Sequence, residues 1–201
     1  MRCPKCFPFL SAVFLTIVTS LNAADLKLMG GLAYGKYSEK EMSFEFKRGY
    51  LCGIGLESGS GRLSFEIDAL YFLKTSRYVS RGWDYELREI SVPLLAKLKV
   101  IPGLNPVYVL AGGEVAYVIS HRQFPGPFGA GTYWDATEST RKIDYGAVFG
   151  AGLKLELDGI ALELESRYHH GLVNTTKFLN DGGYQFKTRE WVFALGIKFQ
   201  I

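Results

Sequence analysis

From Leu26 onward, apolar and polar side chains alternate with a period of two in eight separated stretches. That period predicts β-strands rather than helices. The stretches run from Leu26 to Tyr34, Tyr50 to Glu57, Leu63 to Lys74, Glu89 to Val100, Val107 to Ile119, Tyr145 to Leu157, Ile160 to His169 and Trp191 to Ile201. Each carries bulky apolar residues on one face. The third sets Leu63, Phe65, Ile67, Ala69, Tyr71 and Leu73 against Ser64, Glu66, Asp68, Leu70, Phe72 and Lys74. Pro93 cannot donate to a sheet ladder, which predicts a bulge or local break in the fourth strand.

The connections alternate long and short. Polar stretches from Tyr37 to Lys47, Thr75 to Tyr85, Ser120 to Ile143 and Val173 to Lys187 alternate with three tight turns: Ser58-Gly59-Ser60-Gly61, Pro102 to Pro106, and Asp158-Gly159. Asp-Gly is a strong hairpin signal. Short turns at one end and long loops at the other are the connectivity of outer-membrane barrels. No mature stretch approaches the ~18 continuous apolar residues of a spanning helix. Insertion therefore requires strands closed into a barrel. The predicted fold is all-β, an eight-stranded antiparallel up-and-down transmembrane β-barrel.

Seven aromatics fix its orientation. Tyr34, Tyr50, Tyr71, Tyr117, Tyr145, Tyr168 and Trp191 each sit on the apolar face, at the end adjoining a long connection. An aromatic girdle at one membrane interface has this arrangement. With eight strands, both termini then fall on the periplasmic side. A soluble lipocalin-like barrel would turn the apolar face inward. Here that face holds the large residues, which would overfill the lumen and leave the girdle without a role.

The opposite face becomes the interior. It carries seven basic residues, including Lys27, Lys97, Lys154, Arg167 and Lys198, and eight acidic ones, including Glu66, Asp68, Glu114, Glu163 and Glu165. Between them lie glycines and alanines. Eight strands leave room for side chains and little else. The expectation is a lumen filled by paired charges and closed to ions.

Composition adds three constraints. Residues 1–23 read as a signal peptide: Arg2 and Lys5 form a basic head, an apolar run follows from Phe7 to Leu21, and cleavage falls after Ala23 or Ala24. The barrel then occupies residues 24–201. Cys3 and Cys6 leave with the signal, so Cys52 alone remains and no internal disulfide or cysteine-based metal site can form. Removing Arg2 and Lys5 leaves 21 basic and 20 acidic residues, a balance that does not suggest nucleic acid.

Several segments resemble a known group. Leu87-Arg88-Glu89-Ile90-Ser91-Val92-Pro93-Leu94-Leu95-Ala96-Lys97 is similar to the fourth strand of PorT-like outer-membrane β-barrels. Tyr108-Val109-Leu110-Ala111-Gly112-Gly113 resembles their fifth strand. Phe149-Gly150-Ala151-Gly152-Leu153 and Leu162-Glu163-Leu164-Glu165-Ser166-Arg167-Tyr168 resemble their sixth and seventh. The resemblance implies barrel architecture and assembly by the outer-membrane machinery, not a chemistry. The chain departs at its end, where Ile201 replaces the terminal aromatic that many outer-membrane strands carry.

Candidate chemistry is sparse. His169-His170 would need a serine nucleophile nearby. Ser166 lies four residues from His170, about 13 Å along a strand, too far for a hydrogen bond. Glu163 and Glu165 stand about 6–7 Å apart on one wall, a spacing a glycosidase could use, but a filled lumen admits no sugar. The expectation is no enzyme, no catalytic residue, no metal and no cofactor. The basic rim is more suggestive. Arg48, Arg77, Arg81, Arg88, Arg122, Lys187 and Arg189 fall at or above the girdle, where arginine could meet lipopolysaccharide phosphates. Phe124, Phe128, Tyr133 and Trp134 on the longest loop form either a binding surface or a cap over the mouth.

The reading is an integral protein of the bacterial outer membrane. Its expected partners are membrane lipid, lipopolysaccharide, the assembly machinery during biogenesis and an unidentified loop partner. A rim-site lipid-modifying enzyme and a narrow pore are the alternatives.

Overall fold

The computed structural model describes residues 24–38, 42–59, 61–100, 107–126, 132–176 and 186–200. The signal segment, the 102–106 turn, Ser60, Phe128 and Ile201 lie outside them. The long strands are β1 (Ala24–Ser38), β2 (Phe44–Ser58), β3 (Leu63–Tyr78), β4 (Trp83–Lys99) and β5 (Val107–Phe124). After the two-residue β6 (Trp134–Asp135) come β7 (Ile143–Leu157), β8 (Ile160–Gly171) and β9 (Lys187–Gln200). Each long strand pairs antiparallel with its neighbour, and β1 pairs with β9. The ring closes as a barrel of eight strands, with β6 attached only to β5. Closure satisfies every strand edge, which the hydrocarbon core demands.

Register carries the alternation around the ring. Tyr34 pairs with Trp191, and Trp191 with Tyr168. The Tyr168 and Trp191 rings lie 4.9 Å apart, and those of Tyr50 and Tyr71 6.4 Å apart. Leu28, Ile54, Phe65, Leu94, Val109, Phe149, Leu164 and Leu195 are all exposed on the outside. In lipid that exposure is the favourable state. Cys52 faces outward among them.

Two expectations change and a third is met. First, the outer ends are strand where polar loops were expected. β3 reaches Tyr78 and β4 begins at Trp83, joined by a single 3-10 turn over Val79–Arg81. Gly82 closes that turn at φ 64, a left-handed backbone that glycine adopts without strain. Alternation fades above the girdle because both faces there are polar, yet the backbone ladder continues from Leu73↔Arg88 to Tyr78↔Trp83. Second, β3 to β5 hold 16, 17 and 18 residues, more than the ~9–11 that a crossing requires. Tyr78 stands seven residues beyond Tyr71, roughly 23 Å along the strand, so this side of the barrel projects outward. Third, of the bulge or local break expected at Pro93, the structure has the local break. The β3–β4 pairing skips from Ile67↔Leu94 to Leu70↔Ser91 in unchanged register. The bulges lie elsewhere, at Arg88/Glu89 against β5 and between Phe46 and Tyr50 on β2.

Candidate functional site: the lumen and the outer rim

The lumen fills with ion pairs from the end that carries the chain termini. Lys27 Nζ lies 2.6 Å from Glu66, 3.1 Å from Glu165 and 3.4 Å from Glu163. Lys97 Nζ lies 3.1 Å from Glu57, 3.0 Å from Glu163 and 2.9 Å from Glu165, and it also contacts Glu66. Arg167 spans Asp68 at 2.7 Å, Glu66 at 2.7 Å and Glu165. Lys198 reaches Glu57 at 2.7 Å and Glu163 at 2.9 Å. Tyr108 donates its hydroxyl to Glu165 at 2.6 Å, and its ring lies 4.7 Å from Lys97 Nζ. Nearly every member is buried. A charge taken out of water is tolerable only when opposite charges and donors surround it, and here each cation meets at least two carboxylates.

Small residues make the space. A Cβ at Gly152 would lie 2.4 Å from the Tyr108 ring, and one at Gly146 would lie 2.5 Å from Glu114 Oε1. The alternation of long charges with glycine is therefore a packing requirement. Glu57, Glu66 and Glu163 converge closely enough to suggest a carboxylate metal cage. Lys97 Nζ contacts all three, so an ammonium already fills the position a cation would take. Glu163 and Glu165 are likewise committed to Lys27 and Lys97.

Lys154 stands apart from this cluster. It pairs with the exposed Glu156 at 3.0 Å, at the mouth beside the chain termini. Its inward parity was legible; its height in the barrel put it at the edge.

Above the ions the lumen turns apolar. Met29, Ala33, Leu51, Leu70, Phe72, Val192 and Ala194 pack as one cluster, and Leu95, Tyr108, Leu110 and Val148 as a second. A purely charge-filled interior is thus corrected: a dry plug separates two polar layers.

The upper layer is differently built. Lys74 Nζ lies 3.1 Å from Glu190 and also contacts Glu89. Glu114 accepts hydrogen bonds from His169 Nδ1 at 2.9 Å and Ser91 Oγ at 2.8 Å. Asp144 and Thr188 close the layer. Ser91 and His169 both donate to the same Glu114 oxygen, so the trio lacks the direct serine–histidine contact of a Ser–His nucleophile pair. Glu190 and Asp144 were missed from the sequence, because their strands were started at the girdle aromatics Trp191 and Tyr145. The parity of Trp191 already places Glu190 inward. Ser166 and His170 face outward on β8, where His170 packs against the Tyr168 ring.

An aromatic cap seals the outer mouth. Tyr37 lies edge-on to Phe44, Tyr85 and Phe186, with ring centroids 5.8, 5.9 and 6.1 Å away. His121 fits beneath, with Nδ1 2.7 Å from Thr140 Oγ1. Burial lowers the His121 pKa to about 4. The described loop aromatics Phe124, Tyr133 and Trp134 pair on the hairpins instead. Trp134 packs on Trp83 at 5.0 Å, and Phe124 on Tyr133 at 5.8 Å, on the projecting hairpins.

The basic rim is dispersed rather than continuous. Arg77 grips the buried Asp84 through Nε at 2.8 Å and Nη2 at 3.2 Å. Arg81 stacks on Trp83 and Arg122 on Tyr133, at 5.3 and 4.7 Å. Arg88 pairs with Glu86 at 2.8 Å, and Arg189 donates to the carbonyls of Gly171 and Thr188. Lys187 opens β9 across from Ser38. Arg48 is exposed beside Tyr50 and carries no ion pair or hydrogen bond among the described residues.

Residues 25–177 match the family described as outer membrane protein beta-barrel domain. Among solved structures, the neisserial surface protein A is similar over 88% of this chain and 97% of its own, at 13% identity and a TM-score of 0.50. The N-terminal β-barrel domain of Pseudomonas aeruginosa OprF is similar over 90% and 98%, at 13% identity and a TM-score of 0.48. No curated protein matches the chain.

Proposed function

We propose, from the premise that this chain belongs to the outer membrane protein beta-barrel domain family, that it is a non-conducting scaffold. It sits in the outer membrane with both termini in the periplasm and presents its projecting strand ends to partners outside. The finer kinship with PorT-like barrels rests on the segments 87–97, 108–113, 149–153 and 162–168.

One observation carries this reading. Among the described residues, the ion layer around Lys97, the apolar plug around Phe72 and the cap around Tyr37 lie in series, which supports a lumen without a continuous aqueous path. A solute would have to displace buried salt bridges, an apolar cluster and stacked rings in succession. A rim-site enzyme gains no support, since neither outward histidine nor outward serine has a catalytic neighbour. Reconstitution into a planar bilayer is the direct test. A silent membrane at high protein load is expected; discrete, reproducible conductance steps would replace the scaffold by a pore. Protease protection of a C-terminal tag in intact cells tests the orientation.

A further inference from the structure

We infer that the bulge in β2 forms a binding groove for the phosphorylated headgroup of an outer-leaflet glycolipid. Between Phe46 and Tyr50 the β2–β3 register shifts by one residue, and the ladder is interrupted. The break opens a groove of about 480 Å3 on the outside of the wall, lined by Leu32, Arg48, Tyr50, Leu73, Thr75 and Glu86. That volume lies within the usual range for small-molecule sites.

Its position selects a lipid. Tyr50 belongs to the girdle, and its ring lies 6.4 Å from that of Tyr71. Leu32 and Leu73 wall the groove on the membrane side, while Arg48 and Glu86 stand on the outer side. A ligand with an apolar lower half and an anionic upper half matches this division. Two of its polar groups, Arg48 and Thr75, are also uncommitted. Arg48 is exposed and unpaired among the described residues. Thr75 is 4% exposed, and its Oγ1 has no hydrogen-bond partner. Arg88, 2.8 Å from Glu86, keeps a buried Nε without a partner. Arg88, which does not line the groove, balances Glu86, so Arg48 leaves the groove with one positive charge. A phosphate accepts from guanidinium in two parallel bonds, and from a hydroxyl as well. A buried donor left without a partner is costly, so a ligand that supplies one is favoured.

This inference rests on the outer-membrane placement, but a conducting lumen would leave it standing. The test is retention of lipid by the full mature protein in nanodiscs containing bis-phosphorylated lipid A, read by native mass spectrometry after detergent extraction. Arg48→Ser should lower retention about tenfold, equivalent to ~1.4 kcal/mol. Thr75→Val should lower it by a smaller factor. Arg141→Ser, on the exposed rim away from the groove, should retain as the unaltered protein does. Folding of each variant is checked by heat-modifiable gel mobility. Enzymatic removal of the lipid A phosphates should abolish the difference between Arg48→Ser and the unaltered protein. Equal retention by Arg48→Ser and the unaltered protein would overturn the site. So would equal retention of the dephosphorylated lipid, or full displacement of lipid A by millimolar inorganic phosphate, which would mark a free-anion site.

Discussion

The lower and upper charge layers of this lumen are built from the same residue types and balanced in different ways. In the lower layer Lys27, Lys97, Arg167 and Lys198 face Glu57, Glu66, Asp68, Glu163 and Glu165, and each cation is shared. In the upper layer Lys74 is, among the described residues, the one lysine or arginine paired with Glu89 and Glu190, and His169 pairs with Glu114. The lower layer is a cross-linked lattice spanning β1, β2, β3, β4, β8 and β9. The upper layer is hung on one ammonium. Charge count thus says less than connectivity about what a buried network tolerates.

The sharpest way to separate the layers is to remove the central cation of each. Arg167→Met would strand Glu66, Asp68 and Glu165 in the hydrocarbon zone. Breaking a buried pair by deleting one partner costs about 3–5 kcal/mol, and here three carboxylates lose a donor at once. The expected outcome is a lower urea midpoint in detergent micelles and incomplete folding on heat-modifiability gels. Arg167→Lys restores the charge but not the fork that reaches Asp68 and Glu66, so it should recover only part of the loss. An Arg167→Met protein as stable as the parent would show that the lattice is decorative.

Lys74→Met comes next, at roughly 2–4 kcal/mol, since Glu89 and Glu190 then face each other without a cation. The upper layer should be rescued by neutralising its own acids. Combining Lys74→Met with Glu89→Gln and Glu190→Gln should return most of the urea midpoint. The same double neutralisation in the lower layer, Arg167→Met with Glu66→Gln and Glu165→Gln, should recover less, because Asp68 still leans on Arg167 and Lys27 and Lys97 lose carboxylates of their own. Equal rescue in both layers would erase the distinction between lattice and hub.

A smaller effect belongs to the mouth. His121 has its pKa lowered to about 4 by burial, against an ordinary value of 6.5. The unfolded chain therefore binds the proton more readily than the folded one between those values. Stability contributed by the neutral ring is complete above pH 6.5 and declines as the pH falls toward 4. Tyr37, Tyr85 and Thr140 surround the ring and carry no charge; Asp135 raises the pKa, but by less than burial lowers it. Acid should loosen the cap before the barrel, seen as faster hydrogen exchange at the outer ends of β1 and β5. His121→Phe should remove that pH dependence.

The same split between lattice and periphery governs what the sequence made legible. Strict alternation and the girdle aromatics specified closure, strand number and the lipid face, because the core of a membrane imposes one parity on every residue. Lys27, Glu66 and Arg167 were placed inward by parity alone. Above the girdle that constraint lapses, and Thr75 to Tyr78 read as a loop although they extend β3. Glu190 and Asp144 disappeared for the same reason. The Phe46–Tyr50 bulge left no signal, since a register shift is a relation between two strands and neither sequence alone contains it. Partners within the lumen, such as Lys27 with Glu165 at 138 residues' separation, are likewise set by closure.

The smallest expected effect is the most discriminating check on parity as a guide. Lys154 and Lys198 both occupy inward positions, and both pair with glutamate at about the same distance, 3.0 Å to Glu156 and 2.7 Å to Glu57. Glu156 is 54% exposed, whereas Glu57 is 12% exposed. An ion pair in high dielectric is worth about 0–1 kcal/mol, and salt screens it. Lys154→Ala should therefore shift the urea midpoint barely, and raising the salt concentration should erase the shift. Lys198→Ala removes a cation from both Glu57 and Glu163, and its cost should persist in high salt. If the two substitutions cost the same and respond alike to salt, then position along the strand, and not only the face, has been misjudged for Lys154.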